Sequence, residues 1–443
     1  MKSRFDSLRL LPVVTGVALA LGSSAASALN LQQAYEAALK NDPAYRAAVH
    51  VNEAGLENRK IGRSALLPTL SGAVSGTKNH TTVERLGKKS PEDYVSRSST
   101  IQLRQPLFSL EALARYKQGV AQSEYAEAIL DSQSQEVIMR VSGAYFEVLL
   151  KQYTVALAEV ERDTYTEQRN VNDLLYKKGE GTRTDMLETQ SRLHAAEAQL
   201  LEAKDAVVTA EDTLAGIIGG DVGKLDKLRE DFRATASGLP SYEDLKASAL
   251  AQNPDIRALE KNVETARQEI NKQRSGHLPR LDFVGTYGQT ASETLSLLNQ
   301  DQTIRSIGLQ LNVPIFNGGA ISALTRQAVA NHEKAKADLQ AQKDKITTEL
   351  RKSYNQLVSS IARIEAHEKS AESAKLLITA TEQSIKGGVR INLDLLNAKR
   401  QLYIVQRDLA MARFGYLLAN LRLRASAGSL TADDVRLTAA YFN

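Results

Sequence analysis

Cysteine and tryptophan are absent from the 443 residues, proline occurs nine times, histidine six and methionine four. Without cysteine there is no disulfide, thiolate metal site, cysteine nucleophile or lipid-modified N-terminal cysteine. The net charge of +4, from 56 basic and 52 acidic residues, is too small for a nucleic-acid surface, and no basic cluster of five or six residues appears. The histidines (His50, His80, His194, His277, His332, His367) are scattered without metal-ligand spacing, and the methionines form no cluster. There is no Walker loop and no Gly-x-Ser-x-Gly. Gly179-Glu180-Gly181 follows no strand pattern, so it is a weak dinucleotide signal. The residues therefore point to no enzyme, no cofactor, no resident metal and no nucleic-acid partner. What is abundant is Ala, Gln, Leu, Lys and Glu, the composition of long helices rather than of a compact βαβ enzyme.

Residues 1–28 read as a secretory signal peptide. Lys2, Arg4 and Arg9 precede an apolar core from Leu10 to Leu21, and Ala26-Ser27-Ala28 offers small-residue cleavage. About 12 apolar residues fall short of the roughly 20 that a spanning helix needs. Cleavage leaves 415 residues carrying +2. No later stretch has 18 consecutive apolar residues, so the exported chain is expected to be either soluble or a membrane β-structure.

The chain repeats itself. Asn41-Asp42-Pro43 returns as Asn253-Pro254-Asp255, Leu67-Pro68 as Leu278-Pro279, and Gln102-Leu103 with Pro106-Leu107-Phe108 as Gln310-Leu311 with Pro314-Ile315-Phe316. The offsets are 211, 211 and 208, about half the exported length. A period this long is a duplicated domain. Each copy is expected to run helix, two strands, very long helix, Gly break, helix. Residues 29–240 and 241–443 are the two repeats, with helices over 31–63, 110–178 and 185–217, then 242–275, 320–385 and 393–424. Segments 219–240 and 427–443 are a linker and a tail. Met186, Leu193, Leu200, Val207 and Leu214 fall seven apart beside Thr189, Ala196, Ala203, Ala210 and Ile217; Leu395, Leu402, Leu409 and Tyr416 repeat this beside Ala398, Val405, Ala412 and Ala419. Large and small residues on adjacent heptad rows make a left-handed coiled-coil seam. The heptads by themselves also suit a self-contained helical bundle.

Four segments alternate with period two, near 66–78, 94–108, 279–290 and 302–316. Leu70, Val74, Ile101, Leu103, Leu281, Phe283, Tyr287, Ile307, Leu309 and Leu311 form the apolar set, and each run approaches the 9–11 residues of a tilted membrane strand. The apolar set would face lipid and the polar set a water-filled lumen. Polar stretches Lys78 to Asp93 and Gln289 to Gln302 read as loops. Four strands cannot close a barrel, and an open edge in lipid leaves backbone groups unsatisfied. Three chains would supply an even-numbered barrel of twelve.

Leu31-Gln32-Gln33-Ala34-Tyr35, Asn41-Asp42-Pro43, Val313 to Gly319, Gly388 to Ala398 and the ending Ala425 to Leu430 resemble the TolC family of outer-membrane channels over the whole exported chain. The resemblance implies a mainly α fold with membrane β: a trimeric 12-stranded β-barrel, four strands per chain, continued by a long α-helical coiled-coil tunnel across the periplasm. It also implies outer-membrane localisation, a periplasmic membrane-fusion adaptor, and an inner-membrane ABC transporter or proton-driven pump as partners. Segments 219–240 and 427–443 would form an equatorial region. Lys60 to Ala65 ahead of Leu67-Pro68 is similar to the type I secretion branch, whose cargo is a protease, lipase or other large protein. The missing cysteine departs from lipid-anchored efflux branches.

The two Gly breaks, 179–188 and 388–397, match at offset 209 and pair Asp185 with Asp394. Thr182-x-x-Asp185 is also a capping-box pattern, which accounts for Asp185 structurally. The resemblance implies that these turns form the periplasmic entrance, with Asp394 as an entrance aspartate, Arg390 as a gate-linking arginine and Asp185 as its acceptor. Two positions depart from the family pattern: Asn397 stands where a second entrance acid is expected, and no gate tyrosine occurs between Thr381 and Val389. Arg183, Thr184, Asn392 and Leu393 sit where an adaptor hairpin would touch. Two other readings remain, an outer-membrane duct of a multidrug efflux pump and, in a different class, a soluble periplasmic coiled-coil scaffold.

Overall fold

The structure is a computed structural model that describes residues 28–443 apart from 230, 236–238, 295 and 296; the expected signal peptide lies outside the described residues except for Ala28. The elements are α1 (Leu31–Asn41), α2 (Pro43–Ser64), β1 (Thr69–Arg85), β2 (Lys88–Phe108), α3 (Leu110–Lys177), α4 (Arg183–Ile218), α5 (Tyr242–Gln252), α6 (Pro254–Arg274), β3 (Arg280–Thr294), β4 (Leu297–Asn312), α7 (Ala320–Lys386), α8 (Asn392–Ser426) and α9 (Ala432–Ala439). At 1.5 Å per residue, α3 and α7 are each about 100 Å long.

The expected helices over 31–63 and 242–275 are each broken, at Asp42 and Asn253. The cause is local: each precedes a proline, which disfavours the helical conformation at the residue before it. Each side chain then caps the next helix. Asp42 Oδ1 accepts the amides of Ala44 and Tyr45, and Asn253 Oδ1 those of Asp255 and Ile256. The two caps differ in what else they hold. Asp42 Oδ2 accepts from Arg140 Nη2 at 2.6 Å, while Asn253 Nδ2 donates to the carbonyls of Ala425 and Ser426.

The strands form one antiparallel meander, β1-β2-β3-β4. Lys78 to Asp93 is not a loop: β1 and β2 stay paired to Arg85–Lys88 and turn through Leu86 and Gly87, both at positive φ. Most of 289–302 is likewise strand, with Thr294 opposite Leu297. The alternation fades in these parts, yet the backbone ladder continues. At the other end β4 stops at Asn312 rather than near 316. Register puts Leu70, Leu103, Gly285 and Ile307 in one row, with Ile101 and Tyr287 in the next. This apolar face is bare in the single chain: Val74 is 85% and Ile307 83% exposed.

Nearer the sheet, α3 lies between α2 and α6; farther away it lies between α4 and α8, with α7 along the outer side of α6 and α8. The largest core gathers midway, where α1, the 219–232 segment and α9 wrap the long helices. Tyr145, Phe146, Leu214, Leu350, Phe414, Leu417, Val435 and Phe442 are buried there. Phe146 stacks on Phe414 and Phe442 at centroid distances of 5.5 and 5.7 Å. Tyr145 donates to the carbonyls of Leu29 (2.9 Å) and Asp226 (3.1 Å), stitching two irregular segments to α3. Burial raises the Tyr145 phenol far above its ordinary pKa, so it remains a donor.

Burial of Asp42 opposes its ionised form, but the Arg140 guanidinium and the amides of Tyr45 and Ala44 outweigh it and hold the carboxyl below its ordinary value. A depressed folded-state pKa contributes stability above the unfolded pKa of ~3.9 and loses it as pH falls through the folded value. Asp42→Asn, which keeps the cap, should therefore cost about 1–3 kcal/mol at pH 7. That cost should shrink in thermal unfolding followed by circular dichroism as the pH is lowered below ~4.

Candidate functional site

The ends of α3 and α7 farthest from the sheet turn sharply into α4 and α8. Both turns are built alike. Gly179 and Gly388 take the left-handed conformation, at φ 79° and 75°. The next amide in each, Glu180 and Val389, returns to the carbonyl of Leu175 or Ser384 at 2.9 Å. This satisfies a carbonyl that the helix end would otherwise leave unpaired, and a Cβ at either glycine would strain the turn.

Beyond the glycines the copies diverge. Thr182 caps α4: its hydroxyl accepts the Asp185 amide at 3.1 Å and donates to Asp185 Oδ2 at 2.7 Å. One carboxylate oxygen of Asp185, Oδ2, is therefore engaged in the cap. Asn172 Nδ2 braces the same turn from α3 by donating to Thr189 Oγ1 at 2.7 Å. In the second copy Ile391 stands in the capping place and supplies no side-chain cap. The Asp394 amide donates to Ile391 O at 3.0 Å, and its carboxylate has no partner among the described residues. Thr381 occupies the position of Asn172 and turns its hydroxyl back to Leu377 O.

Arg390, Asn397, Arg183 and Thr184 are all exposed, and Asp394 is half-buried. Arg390 makes no ion pair with Asp185 or Asp394 within the single chain. Asn392 opens α8, and its side chain lies outside the described residues. The sequence-derived residues thus share one end of the molecule but are not locked together by contacts within one copy. Two ties along these helices had no local signal: Arg400 Nη2 to Glu161 Oε1 at 2.8 Å joins α8 to α3, and nearer the midway core Arg413 Nη2 to Glu368 Oε1 at 2.7 Å joins α8 to α7. Each pairs residues far apart in sequence, so only the packing of the helices reveals them.

The family model described as outer membrane efflux protein matches residues 34–220 and 245–429, the two helix–hairpin–helix halves. The chain belongs to this family. It is 40% identical over 440 residues to the alkaline protease secretion protein AprF of Pseudomonas aeruginosa, covering 98% of this chain and 92% of AprF. It is 35% identical over 446 residues to the proteases secretion protein PrtF of Dickeya chrysanthemi, covering 98% and 96%. Among solved structures, the Campylobacter jejuni CmeC outer membrane channel superposes with a TM-score of 0.76 at 17% identity, covering 94% of this chain and 90% of that one; this likeness shows the fold. As a family member the chain is an outer-membrane protein: its sheet is the membrane part and its long helices reach into the periplasm. No described helix is long and apolar enough to cross a membrane.

Loss of the Thr182 cap should loosen the first turn and leave the second unchanged. Thr182→Ala should cost about 1 kcal/mol locally, raising tryptic cleavage at Lys177 and Lys178 roughly fivefold while cleavage at Lys386 and Arg390 stays at the wild-type rate.

Proposed function

We propose that three copies of this chain close a twelve-stranded barrel and that the trimer is the exit channel of a type I export system, carrying a protease or similar large protein to the medium. The observation that carries the cargo class is the 35–40% identity, along almost the whole chain, to AprF and PrtF, whose names state protease secretion.

Physical support for the ring comes from the edges. One side of the molecule presents β1, α2 and α4, and the other presents β4 and α7. Leu187, Leu201 and Val208 stand on one heptad row of α4, all more than half exposed, and Leu376 of α7 is 65% exposed. Two unlike, unpartnered sides fit a head-to-tail contact that closes by rotation. Pairing β1 of one copy with β4 of the next also removes both open edges from lipid. A periplasmic adaptor and an inner-membrane ABC transporter complete the path, the adaptor meeting the turns around Arg183, Thr184 and Asn392. No catalytic role is assigned to the chain. The second reading, a drug-efflux duct, is favoured by the description of the family model.

Around a threefold axis, Asp394 becomes a ring of three carboxylates. With Asn397 in place of a second acid, this entrance carries half the negative charge of a doubly acidic one. Arg390, with no ion-pair partner among the described residues of its own copy, is available to tie neighbouring hairpins, with Asp185 of an adjacent turn as acceptor. Like charges in a constriction draw cations and repel anions.

Arg390→Ala should raise the conductance of purified channels in planar bilayers, and Asp394→Ala should lower their cation preference. No change in either measurement removes these residues from the gate. For the cargo, a deletion strain should lose one or a few secreted proteins from the medium with unchanged drug susceptibility. Normal secretion with drug hypersensitivity would instead establish the efflux reading.

A further inference from the structure

Over its helix-side half the polar face of the sheet is almost free of charge. Opposite the bare apolar residues, its rows read Ser71–Gln102–Thr286–Ser306, Ala73–Thr100–Gly288–Ile304 and Ser75–Ser98–Thr290–Gln302. From the level of Arg104 out to Thr77 and Ser96, no described residue on this face is ionisable. The exception is a cluster at the helix-side end: Arg104 on β2, and Asp282 and Arg280 two residues apart on β3.

Asp282 is 1% exposed. Its Oδ2 accepts from Arg104 Nε at 3.0 Å and Nη2 at 2.5 Å, and from Arg280 Nε at 3.1 Å. Its Oδ1 is buried and has no donor among the described residues. One carboxylate thus seats two guanidiniums and leaves a net charge of +1 per chain. Both arginines remain partly open to water, with side chains 40% and 38% exposed. A guanidinium has five N–H donors; two of Arg104's and one of Arg280's are engaged on Asp282.

We propose that Arg280 and Arg104, seated on Asp282, form a cationic ring at the helix-side mouth of the barrel that binds carboxylate groups of the passing polypeptide. The proposal rests on the three-copy channel reading, in which the polar face lines the lumen and the cluster is repeated three times at one level. Guanidinium groups pair with carboxylates through parallel N–H···O bonds, and a ring of one sign in a pore concentrates counter-ions there. The uncharged wall beyond the ring gives acidic segments no competing fixed charge within the membrane part of the path. Asp282 is a positioning residue: it holds both arginines at one height without cancelling them.

Removing Arg280 discharges the ring and leaves the Arg104–Asp282 pair intact. In planar bilayers under a potassium chloride gradient, Arg280→Gln should lower the chloride-to-potassium permeability ratio roughly twofold or more. It should also weaken current block by added poly-glutamate roughly fivefold. Arg280→Lys keeps the charge and should retain both properties. The double variant Arg104→Gln/Asp282→Asn keeps +1 per chain but loses one guanidinium and the seat, so it should weaken poly-glutamate block more than it lowers the permeability ratio. Arg280→Ser is a second discharging variant should Arg280→Gln fail to form heat-resistant trimers. Wild-type selectivity and poly-glutamate block in a conducting channel that lacks the Arg280 charge would overturn the ring and leave the channel reading standing. A wild-type protein that forms no conducting trimer overturns the channel reading, and the ring with it.

Discussion

A backbone amide or carbonyl in hydrocarbon has no water to pair with, so each unpaired group there costs several kcal/mol. This chain places a four-stranded meander in the membrane, and the outer edges of β1 and β4 have no strand partner among the described residues of one copy. Its apolar face turns outward and its opposite face is nearly all hydroxyl, amide and glycine. Everything else about the molecule is compatible with that debt being settled by further copies. Of the helices joined to the sheet, α2 enters at the β1 edge and α7 leaves from the β4 edge, which brings unlike surfaces to opposite sides, so strand edges and helix sides would be covered by the same rotation.

Duplication explains the economy of the design, and divergence explains where the halves acquire different jobs. Asp42 and Asn253 break their helices for the same reason, a following proline, yet one binds an arginine of α3 and the other the C-terminal carbonyls of α8. At the far turns Gly179 and Gly388 adopt one backbone shape, while Thr182 caps its helix and Ile391 supplies no side-chain cap. The shared backbone keeps the two hairpins equivalent along the tunnel. The unshared side chains leave the Asp394 carboxylate without a partner among the described residues, whereas Asp185 is partly engaged as a capping partner. In a symmetric ring, such differences decide which groups face a neighbouring hairpin and which merely close a helix.

Several features were legible in the residues because their causes are local or periodic. Heptad rows from Thr189 to Leu214 and from Ala398 to Tyr416 marked the helix seams, since a seven-residue repeat of apolar side chains has few other uses. The Gly388 turn and Asp394 at the start of its helix could be read directly. Strand existence was visible where one face meets lipid and the other water. Strand length was not: from Lys78 to Asp93 both faces are polar, and hydrogen bonding continues without any alternation to announce it. The breaks at Asp42 and Asn253 carried a readable signal, an Asx residue before proline, that the stronger helical periodicity around it overrode.

The sequence by itself determined the class of the molecule: exported and duplicated, with long coiled helices and a small two-faced sheet. Those properties follow from composition and repeat distance, which act residue by residue along the chain. Only the tertiary structure decided what lies between distant segments. Arg104 meets Asp282 across 178 residues, Glu161 meets Arg400, and Tyr145 reaches Leu29 and Asp226. None of these pairs has a spacing that marks it, because each depends on how two elements cross or register after the chain has folded. The charge cluster on the barrel's polar face belongs to this second kind. It exists because β3 settles against β2 in one register, and a shift of a single residue would turn Asp282 to the opposite face.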